Sequence, residues 1–483
     1  MSHSNGGSHL RAPACPRRSM TGVLLALLLT APSAWAPRLA AAEIRPDYQF
    51  FHDPDLERPV TTRKFDERLS ELWLEALNRP EIDLQRMVCE SIVRGVKIEV
   101  PGLDACIGRL RELLTADQTQ PVVRSAVAKA LVALAAHDAA EDLALAANRY
   151  SGDVRQTCER ALGDWRYEPI RPEWLARLDS PTVRHRDLIL AIRGLGLAEV
   201  QPASDRLIGF LRSARAASEV RVEAALALGR IHHDGMVELA ESLLEPGAGG
   251  TIVDRLCAAR LLAEHHKPEA HGVLLRLAAD PEPAVRAEAL RLLNGIDSNL
   301  VLPLAEEAMK HPDHLVRRQG MIAFTRLPTP ERMAPVSNLL DDLIPDLRRE
   351  VCQRFDELLA RPELVSAIWG ATSDVLGRDG WRGQEQAALL VGQHRYQPAS
   401  PRLLELQSVP RAEARVAAAW ALRRVAVPET CAPILARARQ LTDQRMTGPA
   451  PDQVDEQVGH LFEALAMMSY WQAESLWRQY VPK

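Results

Sequence analysis

From about residue 80 onward, one pattern of apolar and polar positions returns along the chain. With an arginine counted as position zero, apolar or small residues fall at −1, +3, +4, +6, +7 and +10. Around Arg124 these are Val123, Val127, Ala128, Ala130, Leu131 and Leu134; around Arg286 they are Val285, Ala289, Leu290, Leu292, Leu293 and Ile296. This spacing is one broad face of an α-helix. Small residues at +3 and +4 predict a neighbouring helix close by, toward the short end of the ~8–10 Å interaxial range.

The apolar-Arg pair itself is periodic. It occurs as Val123-Arg124, Val154-Arg155, Val183-Arg184, Val220-Arg221, Val285-Arg286 and Val316-Arg317, with degenerate copies at Val253-Asp254, Leu347-Arg348, Trp381-Arg382 and Ala414-Arg415. Steps from position 124 to 415 are 31, 29, 37, 33, 32, 31, 31, 34 and 33 residues. A period of this size predicts an all-α solenoid of about eleven or twelve hairpins, in which each unit contacts only its neighbours.

Between the arginine helices the pattern predicts second helices, such as Met236–Leu244, Glu269–Ala279 and Glu331–Leu340, with Pro268 and Pro428 where a first turn tolerates proline. Gly163, Gly229 and Gly295 lie eight or nine residues after position zero, where a left-handed glycine would close the helix. Asp153, Asp280, Asp313 and Asp346 precede the arginine helices, where each would cap an amino end and offer a carboxylate to an arginine of the same or adjacent repeat. Arg124, Arg155, Arg184, Arg221, Arg286, Arg317, Arg348 and Arg415 are therefore read as a structural ladder. The competing reading makes them a groove that grips acidic peptides or anionic glycans, since guanidinium binds carboxylate in bidentate fashion.

The segment from Leu277 to Leu293, which contains Asp280-Pro281-Glu282-Pro283-Ala284-Val285-Arg286, resembles a short HEAT repeat of the type found in phycobilisome lyases, and poorer copies extend over about 80–470. The resemblance implies a right-handed superhelix of antiparallel helix pairs with the Val-Arg helices on the concave side. It implies no activity, because the repeat serves lyases, hydroxylases, glycosylases and scaffolds alike. The His-Glu dipeptide of the diiron hydroxylases is absent from this chain.

The ends differ from the repeats. Arg11, Arg17 and Arg18 precede the apolar run Val23–Leu29, and Ala40, Ala41 and Ala42 precede Glu43. That order reads as an export signal over 1–42 cut after Ala42, by the general secretory route ahead of a twin-arginine one. The run is far short of the ~20 residues of a membrane span. Residues 43–64 lack helical period and read as an extended segment; 65–440 form the solenoid; 441–483 read as a loop, Thr442 to Asp455, then one capping helix with Phe462, Tyr470, Trp471, Trp477 and Tyr480.

Charge and chemistry narrow the function. The net charge is −5, and without the four signal arginines the balance is 55 against 64, a net of −9. This argues against a dedicated nucleic-acid binder. Of seven cysteines, Cys15 leaves with the signal. An even six in an oxidising compartment allows a disulfide, with Cys89 and Cys106 the plausible pair, while the repeat register makes Cys89, Cys158 and Cys257 small core residues. His232-His233-Asp234 and His265-His266 fall at matching places in consecutive repeats, where they would share a metal or merely decorate loops. No phosphate loop, His-Glu-x-x-His or Gly-x-Ser-x-Gly motif occurs. The sequence thus predicts an exported, non-catalytic scaffold without cofactor that binds a protein on its concave face; a ligand- or metal-dependent accessory enzyme using the histidines or the Arg groove is the alternative.

Overall fold

The computed structural model describes residues 65–66, 68–245, 250–448 and 453–480, and these contain α-helices and short 3-10 turns with no strand. The chain divides after residue 61. The first unit, with the export signal and most of the 43–64 segment, lies outside the described residues, and all that follows concerns the second.

Two rows of helices alternate along the chain. The arginine row is α2 (Ile82–Lys97), α4 (Pro121–Ala133), α6 (Asp153–Asp164), α8 (His185–Leu197), α10 (Ser218–Ile231), α12 (Ile252–Leu261), α14 (Pro283–Ile296), α16 (His314–Arg326), α18 (Pro345–Leu358), α20 (Trp381–Gln393), α22 (Ala412–Val425) and α24 (Val454–Met467). The second row is α1 (Leu69–Leu77), α3 (Ile107–Thr115), α5 (Ala140–Arg149), α7 (Arg171–Asp179), α9 (Ser204–Arg212), α11 (Val237–Leu244), α13 (Pro268–Leu277), α15 (Leu302–Met309), α17 (Pro330–Ser337), α19 (Pro362–Gly377), α21 (Ser400–Leu406), α23 (Cys431–Thr447) and α25 (Glu474–Tyr480). Twelve helices in the first row, each followed by one of the second, make an all-α solenoid of twelve hairpins.

The small residues of the sequence pattern lie between successive arginine-row helices. Val127, Ala128, Cys158, Ala191, Ala224, Ala225, Ala258, Ala289, Ala388 and Ala418 are fully buried. Successive arginine-row helices adjoin closely over most of the chain, whereas most second-row helices meet only lightly. That difference is what an inner and an outer row of a curved stack would show.

Glycine works differently from the sequence expectation. Gly163 and Gly229 sit inside their helices and do not close them. A Cβ on Gly229 would collide with the Leu261 carbonyl oxygen, and one on Gly163 would stand 3.1 Å from the Leu197 side chain. Their missing side chains let α10 approach α12 and α6 approach α8. Gly295 faces open space. The helices close instead on Ala135, Arg166, Glu199, Arg395 and Ser469, all left-handed with φ of 49–54°. The next residue's N–H reaches back five residues, Ala136 to Leu131 O, Tyr167 to Leu162 O, Val200 to Leu195 O, Tyr396 to Val391 O and Tyr470 to Leu465 O. This is the Schellman ending without glycine.

The C-terminal end also departs from expectation. Helix α23 runs into the expected loop as far as Thr447, and two helices follow rather than one. Phe462 meets Tyr480 edge to face at 5.7 Å, but Trp471 and Trp477 stay exposed, so the aromatic residues cap the core only in part. The six cysteines of the described chain are all free. Burial pushes the thiols of Cys89, Cys158, Cys257 and Cys352 up to about 12, and the neighbouring Cys106 adds to the rise at Cys89. No described helix is long and apolar enough to cross a membrane.

Candidate functional site

The ladder arginines turn away from open surface. Arg124 donates from Nε to Leu114 O (3.1 Å) and from Nη2 to Ala116 O (2.7 Å), at the carboxyl end of α3, and lies over the Tyr150 ring. Arg155 donates to Ala147 O and Asn148 O, and Arg221 to Leu211 O. Arg317 holds His311 O and Pro312 O, Arg348 holds Asp342 O, and Arg415 holds Val409 O and Pro410 O. Each guanidinium thus covers backbone carbonyls that the preceding second-row helix or its following turn leaves without an intrahelical partner. Arg286 instead reaches Glu307 at 2.8 Å.

Several of these groups also reach the next repeat. Arg155 meets Asp187 at 2.8 Å, Arg221 meets Asp254, and Arg415 meets Gln457 at 3.3 Å. Of the four aspartates singled out in the sequence, Asp280 pairs with Arg255 of the preceding repeat at 2.8 Å. Asp313 caps α16 through the N–H groups of Leu315 and Val316. Asp153 and Asp346 are exposed and pair with Arg186 and Arg349, neither a ladder residue.

The register needs correction at Arg184. It is exposed, at the N-cap of α8, and Leu188 occupies the place of the ladder arginine. Replacing position 184 by 188 turns the uneven steps of 29 and 37 into 33 and 33. In α12 the side chain in the ladder role is Arg255, which donates to Gly250 O, rather than Asp254. In α20 it is Gln384, which donates to Arg378 O at 2.6 Å, rather than Arg382. Gln85 in α2 donates to Arg79 O in the same way, whereas Gln457 in α24 reaches back past α23 to Gln407 O, in the turn before α22. The sequence reading missed these three glutamines because it followed the guanidinium, whereas the task needs only an N–H donor on a side chain that can bend back.

The histidine pairs come near each other without converging. His232 bonds to Ser204 Oγ at 2.8 Å, and His233 lies 3.7 Å from Glu199. An Asp234–Lys267 ion pair of 2.7 Å ties the two loops. Burial holds the His265 imidazole below its usual pKa. Among the described residues, no three His, Cys, Asp or Glu side chains are placed to hold a metal ion.

Cavities of about 620 and 500 Å³ lie at the His233 and His266 loops and beside α7, but the run of adjoining open space is on the arginine row. Three adjoining cavities of about 740, 580 and 410 Å³ run along α2, α4, α6, α8, α10 and α12. Lys129 and Asp153 line both the first and second; Gln156, Arg160 and Asp164 line both the second and third. They form one groove with apolar patches at Val93, Val122, Val132, Leu197 and Leu226. At its floor is Glu159, which takes a 2.6 Å hydrogen bond from Arg177. Burial, opposed by Arg177 and Arg155, raises its carboxyl above the usual range. An acid at a position filled elsewhere by Ala128 or Ala225 was the visible signal for this residue.

Solved structures similar to the chain include yeast importin-β (Kap95p), at 14% identity over 82% of this chain and 60% of that one, TM-score 0.39. A second is Kap95p studied with RanGDP, at 13% identity over 84% and 56%, TM-score 0.44. A third is the CpcE–CpcF complex of phycocyanin lyase from Nostoc, at 15% identity over 63% and 100%, TM-score 0.34. The chain spans only 56% and 60% of those importin-β chains, and at such scores the likeness bears on no functional argument. Comparison with curated proteins gave no match. Residues 251–325 match the family model for HEAT repeats, and the helix pairs found there, within α12 to α16, have the form repeated through the described residues: the chain carries HEAT repeats.

Proposed function

We propose that the protein is a non-catalytic scaffold that binds another protein in the groove along α2 to α12, and that it acts in the periplasm or outside the cell. The continuity of the groove across six arginine-row helices carries this reading, because a surface of that length suits a peptide or domain better than a small molecule. The buried ladder supports it: Arg124, Arg317, Arg348 and Arg415 are engaged with carbonyl groups and hold the stack, which leaves recognition to other side chains. The order of basic, apolar and small residues over 1–42 supports the location.

Amine-directed crosslinking of a native envelope and secreted fraction, with mass spectrometry of the linked peptides, tests both points. The expected result is a mature chain beginning at Glu43 and a reproducible link from Lys129, the one lysine of the groove, to one protein. A partner linked only to second-row helices, or none at all with the fold intact, would overturn the groove as the site.

A further inference from the structure

The groove carries a charge that its own side chains leave unbalanced. Most ions along it are paired: Arg86 with Glu90 at 2.6 Å, Arg193 with Glu223, Arg230 with Glu264 at 2.9 Å and Arg260 with Glu288 at 2.5 Å. Glu159 is held by Arg177, and Asp153 faces Arg186 at 3.5 Å. Arg94, Lys129 and Arg160 are exposed and form no ion pair with a described residue, and Asp164 is the one groove acid in the same condition. A chain of net charge −5 thus keeps three unmatched cations against one acid along this groove.

Their placement is regular. Lys129 follows its ladder residue Arg124 by five positions, and Arg160 follows Arg155 by five, so the two stand at one register on adjacent helices α4 and α6. Arg193 follows Leu188 by five on α8, but Glu223 occupies it. Adjacent helices in such a row lie ~8–10 Å apart, which is about one turn of a polyproline II chain, three residues at ~3.1 Å each, whose every third side chain shares a face. Val122, half-exposed, and Val93 and Val132 lie among these cations.

We infer that the groove receives an acidic segment of another protein, with carboxylates repeating about every third residue opposite Lys129 and Arg160 and apolar side chains between them on Val93, Val122 and Val132. This names the partner chemistry of the scaffold reading and rests on it. The unmatched cations steer and register the segment, and the apolar patches supply burial. A basic segment would meet three like charges, and a neutral one would leave them desolvated without partners.

The test is fluorescence anisotropy of the purified protein with a labelled peptide repeating Glu-Leu-Ser, set beside peptides in which Gln or Lys replaces Glu. The expected result is binding of the Glu peptide alone, weakened about tenfold or more by the double reversal Lys129→Glu with Arg160→Glu. Lys129→Arg retains binding, and so does Arg212→Glu, exposed on the second-row helix α9. Circular dichroism melts of every variant confirm that the fold is kept. No preference for the Glu peptide, or a reversal without effect in a folded protein, overturns the inference. Heparin or single-stranded RNA binding as tightly, with the same loss on reversal, overturns it in favour of a general polyanion surface. Failure of the peptide while Lys129 still crosslinks to a protein removes the acidic identity alone; loss of those crosslinks as well removes the scaffold reading with it.

Discussion

The guanidinium of Arg317 grips both carboxylate oxygens of Asp342, Nε at 2.6 Å and Nη2 at 2.7 Å. Asp342 in turn gives its carbonyl to Arg348 at 2.7 Å and accepts the N–H of Ile344 at 2.8 Å. One aspartate therefore joins the arginines of two successive repeats. Asp342 is buried and Arg317 largely covered, so removing the arginine strands the carboxylate away from water. Arg317→Ala is expected to cost about 3 kcal/mol, and Arg317→Lys nearly as much, because an ammonium cannot make the fork. Chemical denaturation of both variants checks this; a loss below about 1 kcal/mol would make the rung incidental.

Two glycines give opposite expectations for one substitution. Gly229→Ala drives a Cβ into the Leu261 carbonyl, so α10 and α12 must separate, at a cost of about 1–3 kcal/mol. Gly295→Ala meets nothing and relieves a flexible residue inside α14, for a gain of about 0.5–1 kcal/mol. Thermal melts of the pair should move apart in sign, and equal shifts would count against close helix approach as the role of Gly229.

Ala135 carries the strain that the sequence assigned to glycine. Its φ of 49° closes α4, and the left-handed region costs a non-glycine residue roughly 1–2 kcal/mol. Ala135→Gly removes that strain and adds some freedom to the unfolded chain, for a net stabilisation of about 0.5–1 kcal/mol. An unchanged or lower melting temperature would show that neighbouring contacts already offset the strain.

Glu159 predicts a pH dependence of definite sign. Burial raises its folded pKa above the unfolded value, so the folded state holds the proton more tightly. Its contribution to stability is full below the unfolded pKa and is lost as pH rises through the folded one. Glu159→Gln removes this loss, while Arg177 keeps Glu173 at 2.7 Å. The melting temperature of the variant relative to the native chain should therefore climb between mildly acidic and neutral pH. Parallel curves would place the carboxyl in the ordinary range.

How much of this was legible before the structure differs from residue to residue. Val285-Arg286 and the small residues after it specify the helix, its buried face and its repetition, because burial with a period of 3.6 is written in side-chain type. Arg184 misled because Val183 and Arg184 reproduce the pair one turn too early, and only the packing of Ala191, Ile192 and Leu195 shows the true phase. Gln85, Gln384 and Gln457 were hidden because the carbonyls they serve are the same in every sequence. The charges of Lys129 and Arg160 were plain to see, but the lack of nearby acids depends on which helices adjoin. Glu159 was visible as an acid in a small-residue column, yet its tie to Arg177 crosses from the first row to the second.

The two rows do not keep their roles throughout. Around α18 the arginine row loosens on both sides, while α17 and α19 meet closely and the 3-10 turn Asn338–Asp341 leans on α20. There the Asp341 carboxylate accepts the N–H of Gly383 at 2.9 Å, in a space that only glycine leaves at 380 and 383. Between α18 and α20, polar insertion thus replaces interlocking small side chains. Since each unit of such a stack is stabilised by its neighbours alone, a weaker junction divides the cooperativity of the whole. The chain would then melt as two blocks on either side of α18, and a load bound in the amino-terminal groove would stiffen the first block while the second breathed as before.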